Sequence, residues 1–226
     1  SPSPTFWSTS TLVNQSGVEG DPGVWVLYDM ALDYSDKGKG QYDTKSNNLY
    51  AVGWMYEGDG DGDGADDGSN MLFRIVFYDN GYIEVERIAE ITGTSGDELV
   101  TLGCTTEGQL YGIDTDGNFY SVERDGVCSY IGTTDFVNKP NYSGVNVIQS
   151  MGYDHNTDTM YWYAHSQTAA GNTYVNVCMT YTIDLATGRC TEVGSYGVGG
   201  GLGAQAGPAV GETWLSSMNT DSNAQE

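Results

Sequence analysis

Basic residues are scarce in this sequence, with 8 lysines and arginines against 31 aspartates and glutamates, and the formal net charge is −23. Nucleic acids and anionic membrane surfaces repel a chain this acidic, so we expect neither as a partner. Long apolar runs are missing as well, because no stretch approaches the roughly 18 residues that a membrane-spanning helix needs. The sequence therefore predicts no membrane insertion.

Recognisable catalytic motifs are also missing. The two histidines, His155 and His165, lack the spacing of a metal-binding pair, and neither a GxSxG elbow nor a phosphate-binding loop occurs. Among 31 acids some carboxylate pair will meet the spacing of a glycosidase by chance, so that spacing carries no information. We expect a non-enzymatic protein. A glycan-processing enzyme that uses paired carboxylates is the alternative, and a structural spacer domain is a third hypothesis.

Glycine and tyrosine are abundant instead, at 32 and 17 residues, which disfavours coiled coils and helical bundles. Hydrophobic residues make up 38% of the chain, enough for one sizeable core. We expect residues 1–226 to form a single all-β domain or a propeller segment, with a flexible tail over about 215–226. The start lacks an initiator Met and a signal peptide. We therefore expect either a removed leader or a piece of a larger chain, at an extracellular or cell-surface location.

Three segments of the chain resemble one another, and each opens with a polar turn followed by Leu-Tyr or Met-Tyr. The tyrosines of these pairs are Tyr50, Tyr111 and Tyr161, and we expect them to occupy equivalent positions. An apolar strand precedes each pair, and two further strands joined by a glycine-containing turn follow it. The sequence thus predicts three units of four antiparallel strands, at about 24–92, 97–133 and 145–196.

The stretches Leu110–Asn118 and Ile183–Gly194 resemble blades of bacterial quinoprotein-like and surface-protein β-propellers. The resemblance implies an all-β fold of propeller-like repeats, each a four-stranded antiparallel meander. A propeller usually has about four to eight blades, and only three units are visible here. A β-sandwich is the alternative architecture, because it also shows short strands with regular turns.

The stretch from residue 59 to residue 67 alternates aspartate with glycine, and hard oxygen ligands at alternate positions suit Ca²⁺. It resembles the DxDxDGxxD calcium loops of integrin-type propellers, which lie between strands. An EF-hand would need flanking helices and a glutamate at the twelfth position, where Asn70 stands. The sequence predicts Ca²⁺ as a cofactor, and the alternative is an acidic insertion without a metal. The expected ligands are Asp59, Asp61, Asp63, Ala65 and Asp67.

Four aromatic residues on strands or near loops are candidate ligand contacts, because aromatic rings can stack on the apolar faces of sugars. They are Trp54, Tyr56, Trp162 and Tyr163. Packing within the sheets is the alternative role for each ring. Together with the calcium loop, these residues predict a calcium-stabilised extracellular binding or adhesion module of a bacterial surface protein, whose ligand is a glycan or a protein.

The four cysteines allow three disulfide pairings, and free thiols are equally compatible with the sequence. Cys128 and Cys190 stand at matching points of the last strands of two units. Matching points of neighbouring blades lie too far apart for a disulfide. We therefore expect these two cysteines not to be bonded to each other.

Overall fold

A computed structural model describes residues 12–14, 25–33, 35, 48–58, 67–77, 83–95, 98–136, 149–170 and 173–196. These residues form β-strands and contain no α-helix. Within these residues, no helical segment has the length and apolarity that crossing a bilayer requires. The prediction of an all-β fold is confirmed.

The first sheet is an antiparallel meander of four strands with one parallel strand added at its outer edge. The four strands are β2 (Trp25–Asp33), β3 (Asn48–Gly58), β4 (Asp67–Phe77) and β5 (Ile83–Glu90). The added strand is β1 (Leu12–Asn14), which pairs in parallel with the start of β5.

The second and third sheets are antiparallel meanders of four strands each, so all three predicted units are present. The second sheet consists of β6 (Gly103–Cys104), β7 (Leu110–Ile113), β8 (Asn118–Val122) and β9 (Cys128–Thr133). The third consists of β10 (Ser150–Asp154), β11 (Thr159–Ala170), β12 (Thr173–Ile183) and β13 (Cys190–Tyr196).

The turns that precede the last strand have the glycine conformation that the sequence predicts. Gly126 has a φ of 82° and Gly188 a φ of 74°, in the left-handed region that only glycine adopts without strain. Asp184 supports the second turn, because its carboxylate accepts a hydrogen bond from the Ala186 N–H at 2.9 Å. These turns fix the hairpins β8–β9 and β12–β13.

The strand register shows that the three units are equivalent residue by residue. Tyr50, Tyr111 and Tyr161 all lie on the second strand of their sheet, which confirms the prediction. Their direct partners on the first strands are Ala31, Gly103 and Gly152. Each outer strand also carries a bulge at the same place, where one residue is left out of the pairing. The bulged residues are Ile88, Ile131 and Val193.

Buried apolar side chains form three clusters among the described residues. One joins the first sheet to the second, with Tyr50 and Leu72 against Leu110 and Val122. Another joins the second sheet to the third and includes Trp162. The remaining cluster draws its buried residues from the first sheet alone. The second sheet thus packs one face against the first sheet and the other face against the third.

Cys104, Cys128 and Cys190 are not disulfide-bonded. The prediction that Cys128 and Cys190 are not bonded to each other is confirmed. Burial, followed by the nearby Asp114 carboxylate, raises the pKa of the Cys128 thiol to about 12. This thiol therefore stays protonated and unreactive at neutral pH.

Candidate functional site

The first strands of the three sheets, β2, β6 and β10, contact one another pairwise. The buried carboxylate of Asp29 on β2 lies at this junction. Its Oδ1 accepts the Met30 N–H at 3.0 Å and the Ser150 hydroxyl at 3.1 Å. Its Oδ2 accepts the Leu102 N–H at 2.9 Å and the Met151 N–H at 2.8 Å. One side chain therefore joins all three sheets.

The three backbone donors come from equivalent positions. Met30, Leu102 and Met151 each precede the residue that pairs with the repeated tyrosine of their sheet. Three related N–H groups thus converge on one carboxyl group, in the manner of an anion-binding nest that the chain fills with its own acid. We call this arrangement the Asp29 clasp. It lies where the first strands of the three sheets contact one another.

Burial raises the pKa of Asp29 to about 7, although all four hydrogen bonds act in the opposite direction. The loss of hydration raises the pKa by more than the four hydrogen bonds lower it, because no cation among the described residues balances the charge. The Asp29 carboxyl group therefore changes its charge near neutral pH.

A cavity of about 10 Å³ lies beside the clasp, about the volume that one water molecule occupies. First-strand residues of all three sheets line it, with Ala31, Gly103 and Gly152 in one layer and His155 beyond them. Burial, followed by the Asp158 carboxylate, raises the pKa of the lining residue Tyr153 to about 12. A space this small has no room for an organic substrate.

A second polar contact joins the first two sheets. Asp33, at the end of β2, is fully buried and forms an ion pair with Arg124, in the turn between β8 and β9. Arg124 also donates to the Gly108 carbonyl at 2.7 Å and to the Tyr50 hydroxyl at 3.2 Å. Burial lowers the pKa of Arg124, but the bonds to Asp33 and Tyr50 outweigh it and raise the pKa overall. The guanidinium stays charged at all relevant pH values.

The third buried acid, Asp114, holds the turn between β7 and β8. Its Oδ1 accepts the backbone N–H groups of Asp116 and Asn118 at 3.0 and 2.9 Å. Its Oδ2 accepts the Tyr120 hydroxyl at 2.8 Å. The buried acids among the described residues, Asp29, Asp33 and Asp114, are thus all engaged in structural hydrogen bonds.

The predicted calcium loop lies between two paired strands, as the sequence indicates. The pairing of β3 with β4 continues as far as Gly58 and Asp67, at the two ends of the loop. Asp67 therefore begins a strand at the base of the loop. Asp59, Asp61, Asp63 and Ala65 lie outside the described residues. Among the described residues, no cluster of three metal-ligating side chains occurs.

The four candidate ligand aromatics have different surroundings. Trp54 is partly exposed on β3, and its indole nitrogen lies so close to Gly68 that a Cβ there would be 2.2 Å away. The backbone of Tyr56 pairs with Gly68, but its side chain lies outside the described part of the chain. Tyr163 is partly exposed on β11.

Trp162 has no exposed surface. Its ring packs edge-on against Phe136, with 5.2 Å between the ring centroids, and its Nε1 donates to the Gln149 side chain at 2.7 Å. This placement corrects the expectation that Trp162 contacts a ligand, since a ring without exposed surface cannot stack on a sugar. The alternating pattern of β11 explains it, because Trp162 lies on the opposite face from Tyr161 and Tyr163.

The sequence did not reveal the Asp29 clasp. Asp29 stands between a tyrosine and a methionine in an ordinary strand, and its donors lie 73 and 122 residues further along the chain. The only signal in the sequence is a lone acid inside an apolar strand. Such an acid predicts buried hydrogen-bond donors around it, because a buried carboxyl group needs them. No protein-family model matches the chain, and no curated protein shows significant sequence similarity to it.

Proposed function

We propose that this chain is a non-enzymatic, calcium-stabilised binding or adhesion module of an extracellular bacterial surface protein. The observation that supports the proposal is that the strands on either side of the DxDxDGxxD stretch, β3 and β4, pair with each other. Pairing of Gly58 with Asp67 brings the two ends of the loop together, as a compact ring of oxygen ligands around one cation requires. A metal held there orders the loop between β3 and β4.

The arrangement of the acids favours a binding role over catalysis. Glycoside hydrolysis needs two carboxyl groups that are free to act on a substrate. Asp29, Asp33 and Asp114 are instead occupied by backbone N–H groups, hydroxyl groups or a guanidinium. The cavity at the junction admits a water molecule rather than a sugar. These features support a scaffold that presents loops and sheet faces to a ligand.

As to architecture, we propose that the three sheets are blades arranged around the Asp29 clasp. The matching registers and bulges support this, as do the pairwise contacts of β2, β6 and β10. A β-sandwich would have two sheets facing each other rather than three first strands at a common centre.

Calorimetric titration of the metal-free protein with CaCl₂ tests the calcium site. We expect one site with a dissociation constant of about 10⁻⁴ to 10⁻³ M, the range of extracellular modules. The double substitution Asp61→Ala/Asp63→Ala removes two expected ligands and should abolish the binding heat. Asp125→Asn, in the turn before β9, is the matched control and should bind like the original chain.

Two results would contradict the calcium assignment. One is the absence of binding at millimolar calcium. The other is equal binding by the original chain and by the Asp61→Ala/Asp63→Ala variant. Either result would leave the loop as an acidic insertion, and would reduce the proposal to a binding module without a metal.

A further inference from the structure

The Asp29 clasp joins the three sheets to one another, whereas the strand pairs within each meander do not depend on it. Oδ2 of Asp29 accepts the backbone N–H of Leu102, next to β6, and that of Met151, on β10. Its Oδ1 accepts the Ser150 hydroxyl. The short strand β6 has only two residues paired with β7. The first strands can therefore move apart at the clasp while the hairpins of each meander stay paired.

The cavity beside the clasp is the place where such a movement loses least packing. Small residues form one layer around it, namely Ala31, Gly103 and Gly152 from the three first strands. The two glycines have no side chain to bury, so little apolar contact is lost when this layer widens. The cavity already has about the volume of one water molecule. Widening it brings water to the Asp29 carboxyl group.

The charge of Asp29 determines when this movement is favourable. All four of its donors are neutral, three backbone N–H groups and one hydroxyl group. Arg124, a cation that could balance a buried acid, is instead paired with Asp33 and bonded to the Tyr50 hydroxyl. An ionised Asp29 is therefore a buried charge without a counter-ion, whereas the protonated acid is neutral. Ionisation thus favours any arrangement in which water reaches the carboxyl group.

Other titratable groups lie on or next to the first strands of the three sheets. They are Tyr28 and Asp33 on β2, Cys104 on β6, Tyr153 and Asp154 on β10, and His155 directly after β10. Burial and the four hydrogen bonds affect the pKa of Asp29 more strongly than any of these groups. His155 also joins two sheets, because its Nδ1 lies 3.0 Å from the Thr106 hydroxyl. Since histidine ordinarily titrates near neutral pH, the effect of Asp29 has to be distinguished from that of His155.

We propose that the junction of the three sheets is a pH-sensitive switch, which is closed while Asp29 is protonated and opens to water when Asp29 is ionised. The three meanders keep their strand pairing in both states. The switch goes beyond the proposed binding function and depends neither on that function nor on calcium.

The direction of the pH dependence follows from the two states of Asp29. Its pKa is about 7 in the closed junction and returns toward the ordinary value of 3.8 when water reaches it. Between these values the acid is protonated in the closed state and ionised in the open state. The ratio of open to closed molecules, the opening constant, should therefore rise by up to about tenfold per pH unit from pH 4 to pH 7. Above pH 7 the acid is ionised in both states, and the opening constant levels off.

The test is native-state hydrogen exchange of the full chain, followed by NMR at several pH values between 4.5 and 8. Exchange rates of the Leu102 and Met151 amides, divided by the rates of unstructured peptide, give the opening constant at the clasp. We expect it to rise about 100-fold or more between pH 4.5 and 7, and little from there to pH 8. At each pH it should exceed the opening constant of the amides that pair β7 with β8 and β11 with β12. It should also respond less steeply to urea, because a local opening exposes less surface than complete unfolding.

Two variants identify the group that titrates. Asp29→Asn cannot ionise, so its opening constant at Leu102 and Met151 should not change with pH. His155→Gln is the matched control, because its amide can still bond to the Thr106 hydroxyl, and it should keep the rise. If Asp29→Asn fails to fold, the ¹³C resonance of the Asp29 carboxyl carbon in the original chain replaces it, with an expected titration midpoint near pH 7.

Three kinds of result would overturn the switch. Exchange of the Leu102 and Met151 amides with the same opening constant and urea dependence as the hairpin amides would show that the junction opens only on complete unfolding. A rise that persists in Asp29→Asn, or that disappears in His155→Gln, would assign the pH dependence to another group. An opening constant of the original chain that does not change with pH, or an Asp29 midpoint below about pH 5, would remove the effect of the charge.

Discussion

A carboxyl group buried away from water destabilises any fold unless hydrogen-bond donors surround it, and Asp29 has such donors. Three backbone N–H groups and one hydroxyl group surround it. The Ser150 hydroxyl has a special role, since a hydroxyl group can either donate or accept. When Asp29 is protonated at Oδ1, the Ser150 hydroxyl can rotate and accept a hydrogen bond from that O–H, while the other donors keep their acceptors. The clasp is therefore satisfied in both charge states.

The pKa of Asp29 makes a prediction for stability against pH. The pKa is about 7 in the folded chain and 3.8 in the reference state, so the folded chain binds more protons between these values. The contribution of this group is fully present below about pH 4 and is lost as the pH rises through 7. At 1.36 kcal/mol per pKa unit, the loss amounts to about 4 kcal/mol. Urea unfolding between pH 4.5 and 8 measures it.

Asp29→Asn is the variant that isolates the group. Its amide resembles the protonated acid but leaves the Met30 N–H without an acceptor, so we expect a loss of about 1–3 kcal/mol at pH 4.5. The variant should lack the slope, so the two curves should cross, and the variant should be the more stable protein by pH 8, because the original chain loses about 3 kcal/mol between pH 4.5 and 8. Asp184→Asn, at an exposed turn residue, should keep the slope. A parallel pH profile for Asp29→Asn would refute the assignment.

Among the structural elements, the turn between β8 and β9 has a task beyond joining its strands. It carries Arg124 into contact with Asp33 and Tyr50 of the first sheet, and the guanidinium carbon lies 5.2 Å from the centroid of the Tyr50 ring. Ser35 adds two hydrogen bonds to Asp33, from its N–H at 2.9 Å and its hydroxyl at 2.6 Å. The turn thus works as a latch between neighbouring sheets.

Removal of the latch by Arg124→Gln leaves the buried Asp33 carboxylate without its cation. Loss of one partner of a buried pair costs about 3–5 kcal/mol, and we expect about 2 kcal/mol because Ser35 still donates and Arg124 is partly exposed. Urea unfolding at pH 7 is the measurement. Arg189→Gln, at an exposed turn residue of the third sheet, should change stability by less than about 0.5 kcal/mol. Equal stability of the two variants would argue against the latch.

The strands could be placed from the sequence to within a few residues, because their signals are local. Alternating apolar residues and glycine turns mark β7, β8 and β9, for example, and the structure has them where the pattern predicts. The pairing of the hairpin β11–β12 continues to Ala170 and Thr173. The dipeptide Gly171-Asn172 between them is a hairpin signal in the sequence. β1 was not identified, because three residues carry too little periodicity.

At the scale of the whole molecule, the sequence could not show which sheet faces meet. The polar pair Tyr163 and Thr180 reads locally like any strand surface. The pair is informative only once the register shows that the equivalent pairs in the other two sheets are Val52 with Leu72 and Ile113 with Phe119. Trp162 was misjudged for the same reason, because the choice between two faces of a strand depends on which neighbouring sheet covers each one.

The range of the Asp29 hydrogen bonds has a consequence for the order of folding. Within each meander, a strand pairs with its neighbour in sequence, and such short loops close quickly. The clasp instead joins residues 73 and 122 positions apart. It should form after the hairpins, late on the downhill side of the folding barrier. In stopped-flow experiments at pH 4.5, Asp29→Asn should therefore speed unfolding and leave the refolding rate almost unchanged. A slowed refolding rate would instead place the three-sheet junction in the folding nucleus.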